Sequence, residues 1–254
     1  MVTPRMRTAH FALSHVGCVR TLNEDRCLSN AEAGLFVVAD GMGGHDAGEV
    51  ASTAIVERLE QVTRQGSAIE LASSFRDAIT AANADIRRYS RLNGDKVIGS
   101  TVVGLLVFES DYRCYWSGDS RAYLLRGDTL TQLSRDHTEV QDLLNRGLLT
   151  KEEAAVYPRR NVITQAIGVS DYVYMDFTDG HILPGDTFLL CSDGLTGHVS
   201  NLEIGEAMAG HKPERICRDL VEVVLDRGGH DNVTICVIQF FAASATVPLS
   251  GYPA

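Results

Sequence analysis

Acidic residues stand next to apolar, strand-like runs at several separate places in the sequence. Asp40 follows the run 35–39, and Asp193 follows a similar run in FLLCSDGL; a glycine comes directly after each of them. Asp119 lies in the short link GDSR between two strand-like runs, and Asp231 in HDNVTICV precedes the last run. An unpaired carboxylate at the end of a buried strand is costly. Its repeated placement there therefore indicates a chemical role.

Glu24 and Asp25 add two adjacent acids before another strand-like run. Strand ends can bring distant side chains together, but several carboxylates in one place repel and cannot all remain ionised. Mg²⁺ and Mn²⁺ remove this conflict, because they prefer carboxylate, carbonyl and water oxygens. The glycines beside Asp40 would let a main-chain carbonyl, such as that of Gly41, approach an ion. No cluster of His and Cys at zinc spacing competes with this interpretation.

Arg20, four residues before Glu24, is the candidate cationic partner of a substrate. A guanidinium group can hold a phosphate through two hydrogen bonds while metal ions hold water. Together these parts predict metal-assisted transfer of a phosphoryl group to water. Taken singly, an Asp-Gly pair after a strand is usually a turn, and Glu24–Asp25 is most often a solvated pair. The joint pattern favours the catalytic interpretation.

The elements that must position these residues come in blocks. Their order is strands, two helices, strands, two helices and a final strand, which differs from the regular alternation of a parallel sheet and favours an antiparallel α/β sandwich. Strands are predicted at 9–14, 35–39, 100–108, 112–118, 121–127, 129–133, 172–177, 187–191 and 233–240, and helices at 51–62, 71–89, 201–209 and 213–226.

One domain, 8–241, accounts for nearly the whole chain, because no repeat or low-complexity linker divides it. The stretch 134–158 is polar and weakly helical and interrupts the strands, so we expect an inserted, surface-lying flap at about 136–162. Residues 242–254 are expected to form a short disordered tail.

Composition narrows the possible classes of protein. The chain has 254 residues and a formal net charge of −10, which argues against a nucleic-acid binder because such proteins show a basic patch. No apolar stretch approaches the roughly 18 residues of a membrane span, and no signal peptide is evident. Six cysteines without a CxxC pair indicate a reduced, cytoplasmic protein. We expect a monomer.

Seven short motifs follow one another in a recognisable order and spacing. They are RTLNED (20–25), ADGMGGHDAGE (39–49), GST (99–101), GDSR (118–121), DHT (136–138), SDGL (192–195) and DNVT (231–234). Together they closely resemble the metal-dependent Ser/Thr protein phosphatases, the PPM or type 2C family, in their bacterial form. The resemblance runs from about Phe11 to Phe240.

The resemblance implies an α+β fold, a four-layer αββα sandwich of two antiparallel sheets flanked by antiparallel helix pairs. It also implies a centre for two Mn²⁺ or Mg²⁺ ions at one edge. By position, Asp40 matches the ligand that bridges both ions, and Asp193 and Asp231 match further ligands of the first. Glu24 and the Gly41 carbonyl match ligands of the second.

Further roles follow from the same resemblance. Arg20 would bind the substrate phosphate, and Asp25 would hydrogen-bond metal-bound water. Asp119 and Asp193 match the ligands of a third, weaker ion. The flap corresponds to a variable segment that influences substrate choice. The implied partners are phosphorylated proteins and a cognate Ser/Thr kinase, with phosphoserine and phosphothreonine hydrolysed by direct attack of a water that bridges the two ions.

One departure concerns Met42, which stands where eukaryotic members carry a histidine proposed as the general acid. This substitution is usual in bacterial relatives but leaves the acid unassigned, and His45 is interpreted as a local structural residue. Three alternatives stay open from the sequence: a binding module that has lost catalysis, a phosphohydrolase for small metabolites, and a dedicated regulator of one phosphoprotein. Cys191 is expected in the core rather than as a nucleophile.

Overall fold

The computed structural model describes residues 6–43 and 47–242. His45 and nearly all of the predicted tail lie outside these ranges; Ala242, assigned above to the tail, is the last residue of a strand. The elements in chain order are β1 (Met6–His15), β2 (Asp25–Asn30), β3 (Leu35–Gly43), α1 (Ala47–Glu60), α2 (Ala68–Leu92), β4 (Ile98–Ser100), β5 (Val102–Phe108), β6 (Asp111–Ser117), β7 (Arg121–Arg126), β8 (Thr129–Gln132), α3 (Glu139–Asn145), α4 (Lys151–Ala155), β9 (Asp176–His181), β10 (Thr187–Cys191), α5 (Asp193–Thr196), α6 (Asn201–Met208), α7 (Pro213–Asp226) and β11 (Val233–Ala242).

The strands form two antiparallel sheets. Sheet A has the order β1-β11-β10-β7-β8, and sheet B has the order β2-β3-β5-β6-β9 with β4 paired to β3. The β-branched and aromatic residues of these strands alternate between two buried faces, which is how strands in the middle of a layered fold bury both sides. The predicted α+β sandwich is confirmed.

Three apolar clusters hold the layers together. One lies between the two sheets and contains Phe36, Trp116 and Phe188. A second packs α1 and α2 against sheet B, and a third packs α6 and α7 against sheet A. The result is the expected αββα order of four layers, in which the sheet ends remain at the rim.

One predicted strand is wrong in position. The run 172–177 is aromatic and β-branched, yet the strand found there is β9, Asp176–His181, with the polar sequence DFTDGH. Its bounds follow its pairing with β6, in which Tyr115 is opposite Phe177. The pairing partner, rather than local hydrophobicity, determines this edge strand.

The range 136–162, which is predicted to form a flap, contains the two short helices α3 and α4. Among the described residues, no helix is both long enough and apolar enough to cross a membrane.

Candidate active site

Five aspartates meet at one end of the sandwich. Four of them open or flank strands, whereas Asp40 lies inside β3, because this strand continues to Gly43 through its pairing with β4 and does not end at residue 39 as predicted. In sheet B, Asp25 opens β2 and stands directly opposite Asp40 of β3. In sheet A, Asp119 precedes β7, Asp193 follows β10, and Asp231 precedes β11, and these three strands are neighbours. The charges of the other four all act on Asp40. The structure therefore brings together acids that are up to about 200 residues apart in the sequence.

Asp25 is almost completely buried, with 2% of its surface exposed. Its Oδ2 accepts a hydrogen bond from Ser192 Oγ at 2.7 Å, whereas its Oδ1 has no hydrogen-bond partner among the described residues. Burial raises the pKa of Asp25 to about 6; hydrogen bonds from Ser192 and Thr234 oppose the increase, and repulsion from Asp193 adds to it. Asp25 is thus a carboxylate with one oxygen fixed and the other available.

The pKa values of Asp40 and Asp119 are raised as well. Burial raises the pKa of Asp40 well above its usual range, and the charge of Asp25 adds to this effect. Burial also raises the pKa of Asp119 to about 7, with repulsion from Asp193 as the next cause. Asp119 Oδ1 has no hydrogen-bond partner among the described residues. Carboxylates that are buried together without cations nearby hold protons more strongly than usual.

Asp193 has a raised pKa for the same reasons, burial first and repulsion from Asp231 second, although a hydrogen bond from Asp40 opposes the rise. The short helix α5 begins at Asp193. A Cβ on Gly194 would lie 1.8 Å from the Asn232 carbonyl oxygen, so no larger residue fits there and the chain after Asp193 packs directly on the loop before β11.

Arg20 forms an ion pair with Asp231, with Nη2 and Oδ2 2.8 Å apart. The other oxygen of Asp231 accepts a hydrogen bond from the Asn232 main-chain N–H at 2.8 Å. Asp231 is therefore turned toward Arg20 and its own loop. As they stand, no three His, Cys, Asp or Glu side chains in 6–43 and 47–242 are arranged so that they could hold a metal ion.

Glu24 lies between β2 and the first turn of α1. The Gly48 N–H donates to Glu24 Oε1 at 3.0 Å, and the Gly41 N–H donates to the Glu24 carbonyl at 3.2 Å. A Cβ on Gly41 would lie 2.1 Å from the Gly48 carbonyl oxygen. The glycine at 41 is thus required for close packing of β3 on α1, a reason that differs from the ion approach inferred above.

Three residues within the recognised motifs have roles that sequence reasoning missed. Asn232 accepts from the Glu24 N–H at 2.8 Å and donates to the Val16 and Leu22 carbonyls, so it shapes the loop that carries Arg20. Ser192 fixes Asp25, and Thr101 accepts from the Asp40 N–H at 3.1 Å. Their presence in the DNVT, SDGL and GST motifs is the only signal that the sequence carried.

Cys191 is fully buried in β10, which confirms that it belongs to the core. Burial raises the pKa of its thiol to about 12, so the group is protonated near neutral pH and is not a nucleophile.

Comparisons with known proteins agree with this geometry. The family described as Protein phosphatase 2C matches residues 3–143. The serine/threonine phosphatase stp of Listeria innocua is 35% identical over an alignment of 217 residues, and the match covers 81% of this chain and 84% of that protein. The serine/threonine protein phosphatase PstP of Mycobacterium tuberculosis is 37% identical over 227 residues, 89% of this chain, and the chain spans 44% of the length of PstP.

Solved structures give the same result. PppA, described as a key regulatory component of the T6SS in Pseudomonas aeruginosa, has a TM-score of 0.86 at 40% identity and covers 94% of this chain and 99% of its own. The catalytic domain of PstP, solved in complex with two manganese ions, has a TM-score of 0.83 at 34% identity. The match covers 93% of this chain and 99% of that structure. The chain therefore belongs to the protein phosphatase 2C family, the metal-dependent serine/threonine phosphatases that its motifs resemble.

Proposed function

We propose that this phosphatase hydrolyses phosphoserine and phosphothreonine in proteins by direct attack of water, and so opposes a Ser/Thr kinase. The observation that carries the proposal is the cluster of five aspartates from both sheets, with the guanidinium of Arg20 directly beside it. Membership in the protein phosphatase 2C family supports the same reaction.

The clustered carboxylates and the Gly41 carbonyl are suitable ligands for hard divalent cations. All of these groups are oxygen donors, and Oδ1 of Asp25 and of Asp119 are buried without a hydrogen-bond partner among the described residues. The manganese-bound catalytic domain of PstP supports this assignment. Mn²⁺ or Mg²⁺ held by these groups would lower the pKa of a water molecule and so supply a nucleophile near neutral pH. Two ions would be held by Asp40, Asp193, Asp231, Glu24 and the Gly41 carbonyl, and a third by Asp119 and Asp193.

Asp25 would orient the attacking water and accept its proton. Ser192 holds Oδ2 in place, so Oδ1 is the oxygen left for this task. Burial raises the pKa of Asp25 above that of an exposed aspartate in the cation-free cluster, which makes its carboxylate a stronger base.

Arg20 would bind and orient the phosphate. Its side chain is half exposed and already engages a carboxylate, Asp231, whose oxygens resemble those of a phosphate. If Arg20 bound the phosphate in place of Asp231, this aspartate would be free to bind a cation. The guanidinium charge would then stabilise the negative charge of the transition state.

The domain 8–241 would carry the whole reaction, and the flap would contact the protein substrate. The flap is attached at its base by the Arg121–Asp136 ion pair at 2.6 Å and by a bridge between Thr138 and Ile163. Beyond this base it exposes Leu148 and Val156, which are apolar groups suited to a protein partner.

Phosphate release from p-nitrophenyl phosphate and from a phosphothreonine peptide tests the proposal, in Mn²⁺, in Mg²⁺ and in EDTA. We expect turnover that needs metal and resists thiol blockers. It should fall by about 10²-fold or more in Asp193→Asn, because a ligand is lost. Asp128→Asn is the matched control, since Asp128 is exposed in the turn between β7 and β8.

Other outcomes would point to the alternative classes. A protein that binds Mn²⁺ but hydrolyses neither compound would be a binding module. Faster hydrolysis of small phosphorylated metabolites than of the peptide would indicate a metabolite phosphohydrolase.

A further inference from the structure

His137 opens the flap, yet it does not face solvent. Only 9% of it is exposed, and its ring lies between those of Trp116 and Tyr174, with centroids 6.3 and 5.6 Å away. A side chain in this position cannot touch a protein substrate. Any influence that it has on the reaction must pass through its neighbours.

Both ring nitrogens of His137 have partners. The Gly118 N–H donates to Nδ1 at 3.2 Å, and Nε2 lies 3.2 Å from Asp176 Oδ2. A ring nitrogen that accepts a hydrogen bond carries no proton, so the proton is on Nε2, which donates to Asp176. Tyr174 donates its hydroxyl to the other oxygen of Asp176 at 2.9 Å. The ring is thus fixed from the β9 side and presents an acceptor to Gly118.

The main chain of His137 holds the same glycine a second time, because the His137 N–H donates to the Gly118 carbonyl at 2.9 Å. Both polar groups of Gly118 are therefore bound by one residue. Gly118 has φ +104, a conformation that favours glycine. A Cβ there would lie 2.6 Å from Thr101 Cγ2.

Asp119 follows this glycine directly, so the direction of its carboxylate depends on the Gly118 conformation. The same turn is linked to Asp40, because Ser120 Oγ lies 2.7 Å from Thr101 Oγ1, and Thr101 accepts the Asp40 N–H. The contacts of His137 with Gly118 thus connect the base of the flap and β9 with two of the clustered acids, Asp119 and Asp40.

We propose that His137 is a positioning residue for Asp119: its ring and main chain clamp Gly118 and so hold the Asp119 carboxylate in the cluster. The inference rests on the proposed function for its effect on cation binding and turnover. The clamp itself is a property of the chain alone.

Three variants separate the two ring contacts. His137→Asn keeps an acceptor near Nδ1 for the Gly118 N–H, His137→Gln reaches toward Asp176 instead, and His137→Leu keeps neither. His211→Gln is the control, because His211 is a half-buried histidine in the loop before α7 whose Nδ1 has no partner among the described residues. Circular dichroism would establish that each variant is folded.

Isothermal titration with Mn²⁺ and steady-state kinetics are the main measurements. We expect His137→Gln and His137→Leu to bind the weakest class of Mn²⁺ about 10-fold less tightly and to lose kcat more than KM, as for residues that orient a ligand. His137→Asn should stay within about twofold of wild type, as should the control. A loss in His137→Asn equal to that in His137→Leu would overturn the proposal.

A double-mutant cycle with Asp119→Asn distinguishes positioning from general destabilisation. If His137 acts through Asp119, His137→Gln should change Mn²⁺ affinity no further in the Asp119→Asn background. Additive losses would contradict the inference.

Hydrogen exchange at the Gly118 amide, followed by NMR, needs neither metal nor turnover. It should be about 10-fold faster in His137→Gln than in wild type, and unchanged exchange would refute the clamp. An inactive wild type with the expected exchange difference would refute the proposed function and leave the clamp supported.

Discussion

At the scale of single residues, the site consists of acids that destabilise one another. Asp25 and Asp40 are directly opposed across two strands, an arrangement that costs stability when both are charged. Asp119 and Asp193 add further negative charge. Bound cations would compensate this repulsion. Functional sites often contain groups that lower the stability of the folded protein.

The pH dependence of stability should reveal the burial of these acids and their mutual repulsion. The pKa values of Asp25 and Asp119 rise from 3.8 to about 6 and about 7 on folding, so the folded protein binds more protons than the unfolded chain between about pH 4 and 7. The free energy of unfolding must then fall as pH rises through this interval. In EDTA we expect a loss on the order of 2–4 kcal/mol between pH 5 and 7.5, measured by urea unfolding.

Two variants test whether these aspartates cause the decrease in the free energy of unfolding with pH. Asp119→Asn removes one of the shifted groups and should flatten the slope, whereas Asp128→Asn should leave it as in wild type. Stability in EDTA that stays constant or increases from pH 5 to 7.5 would show that folding does not raise the pKa values of these aspartates as described.

At the scale of secondary structure, the packing of the layers depends on how closely the helices approach the sheets. Gly104 of β5 is the contact point for α2, because a Cβ there would lie 2.9 Å from Phe75 Cζ. Phe75 in turn stacks on Tyr115 of β6, with ring centroids 5.2 Å apart. Glycine at 104 therefore determines how deeply this helix packs on sheet B.

Gly104→Ala should destabilise the protein by about 1–3 kcal/mol, the usual cost of overpacking. The measurement is urea unfolding, and adding Phe75→Leu should recover part of the loss because the smaller side chain gives room. Gly205→Ala in α6 is the control: its Cβ would meet Leu130 at an ordinary 3.6 Å, and we expect a gain of up to about 1 kcal/mol. Equal losses from both substitutions would contradict the packing argument.

At the scale of the whole molecule, the acids come from both halves of the sandwich. Asp40 belongs to sheet B, whereas Asp193 and Asp231 flank strands of sheet A. A cation bound between them would connect the two sheets, and it would reduce the self-repulsion of a chain with net charge −10.

Mn²⁺ should therefore raise the melting temperature. At 100 times the dissociation constant, binding to the folded state adds about 2.7 kcal/mol, which corresponds to roughly 5–10 °C for a chain of this size. Differential scanning calorimetry would measure the shift, with EDTA and NaCl of equal ionic strength as references. The shift should shrink in Asp193→Asn, and an equal shift with NaCl would mean simple screening.

The sequence alone predicted much of this protein. The repeated pattern of apolar run, aspartate and glycine singled out Asp40 and Asp193, because an apolar run and the residues that follow it are read locally along the chain. The order of strands and helices was predicted for the same reason. The sheets then brought these ends to one rim, as the pattern required.

Only the tertiary structure decided the contacts that orient the acids. Ser192 and Asp25 are 167 residues apart, Asn232 and Glu24 are 208 apart, and no local pattern encodes such hydrogen bonds. The bounds of β9 likewise followed its partner β6 instead of its own hydrophobicity. Apolar periodicity is local and can be read along the chain, whereas strand register and hydrogen-bond partners arise when distant segments pack together.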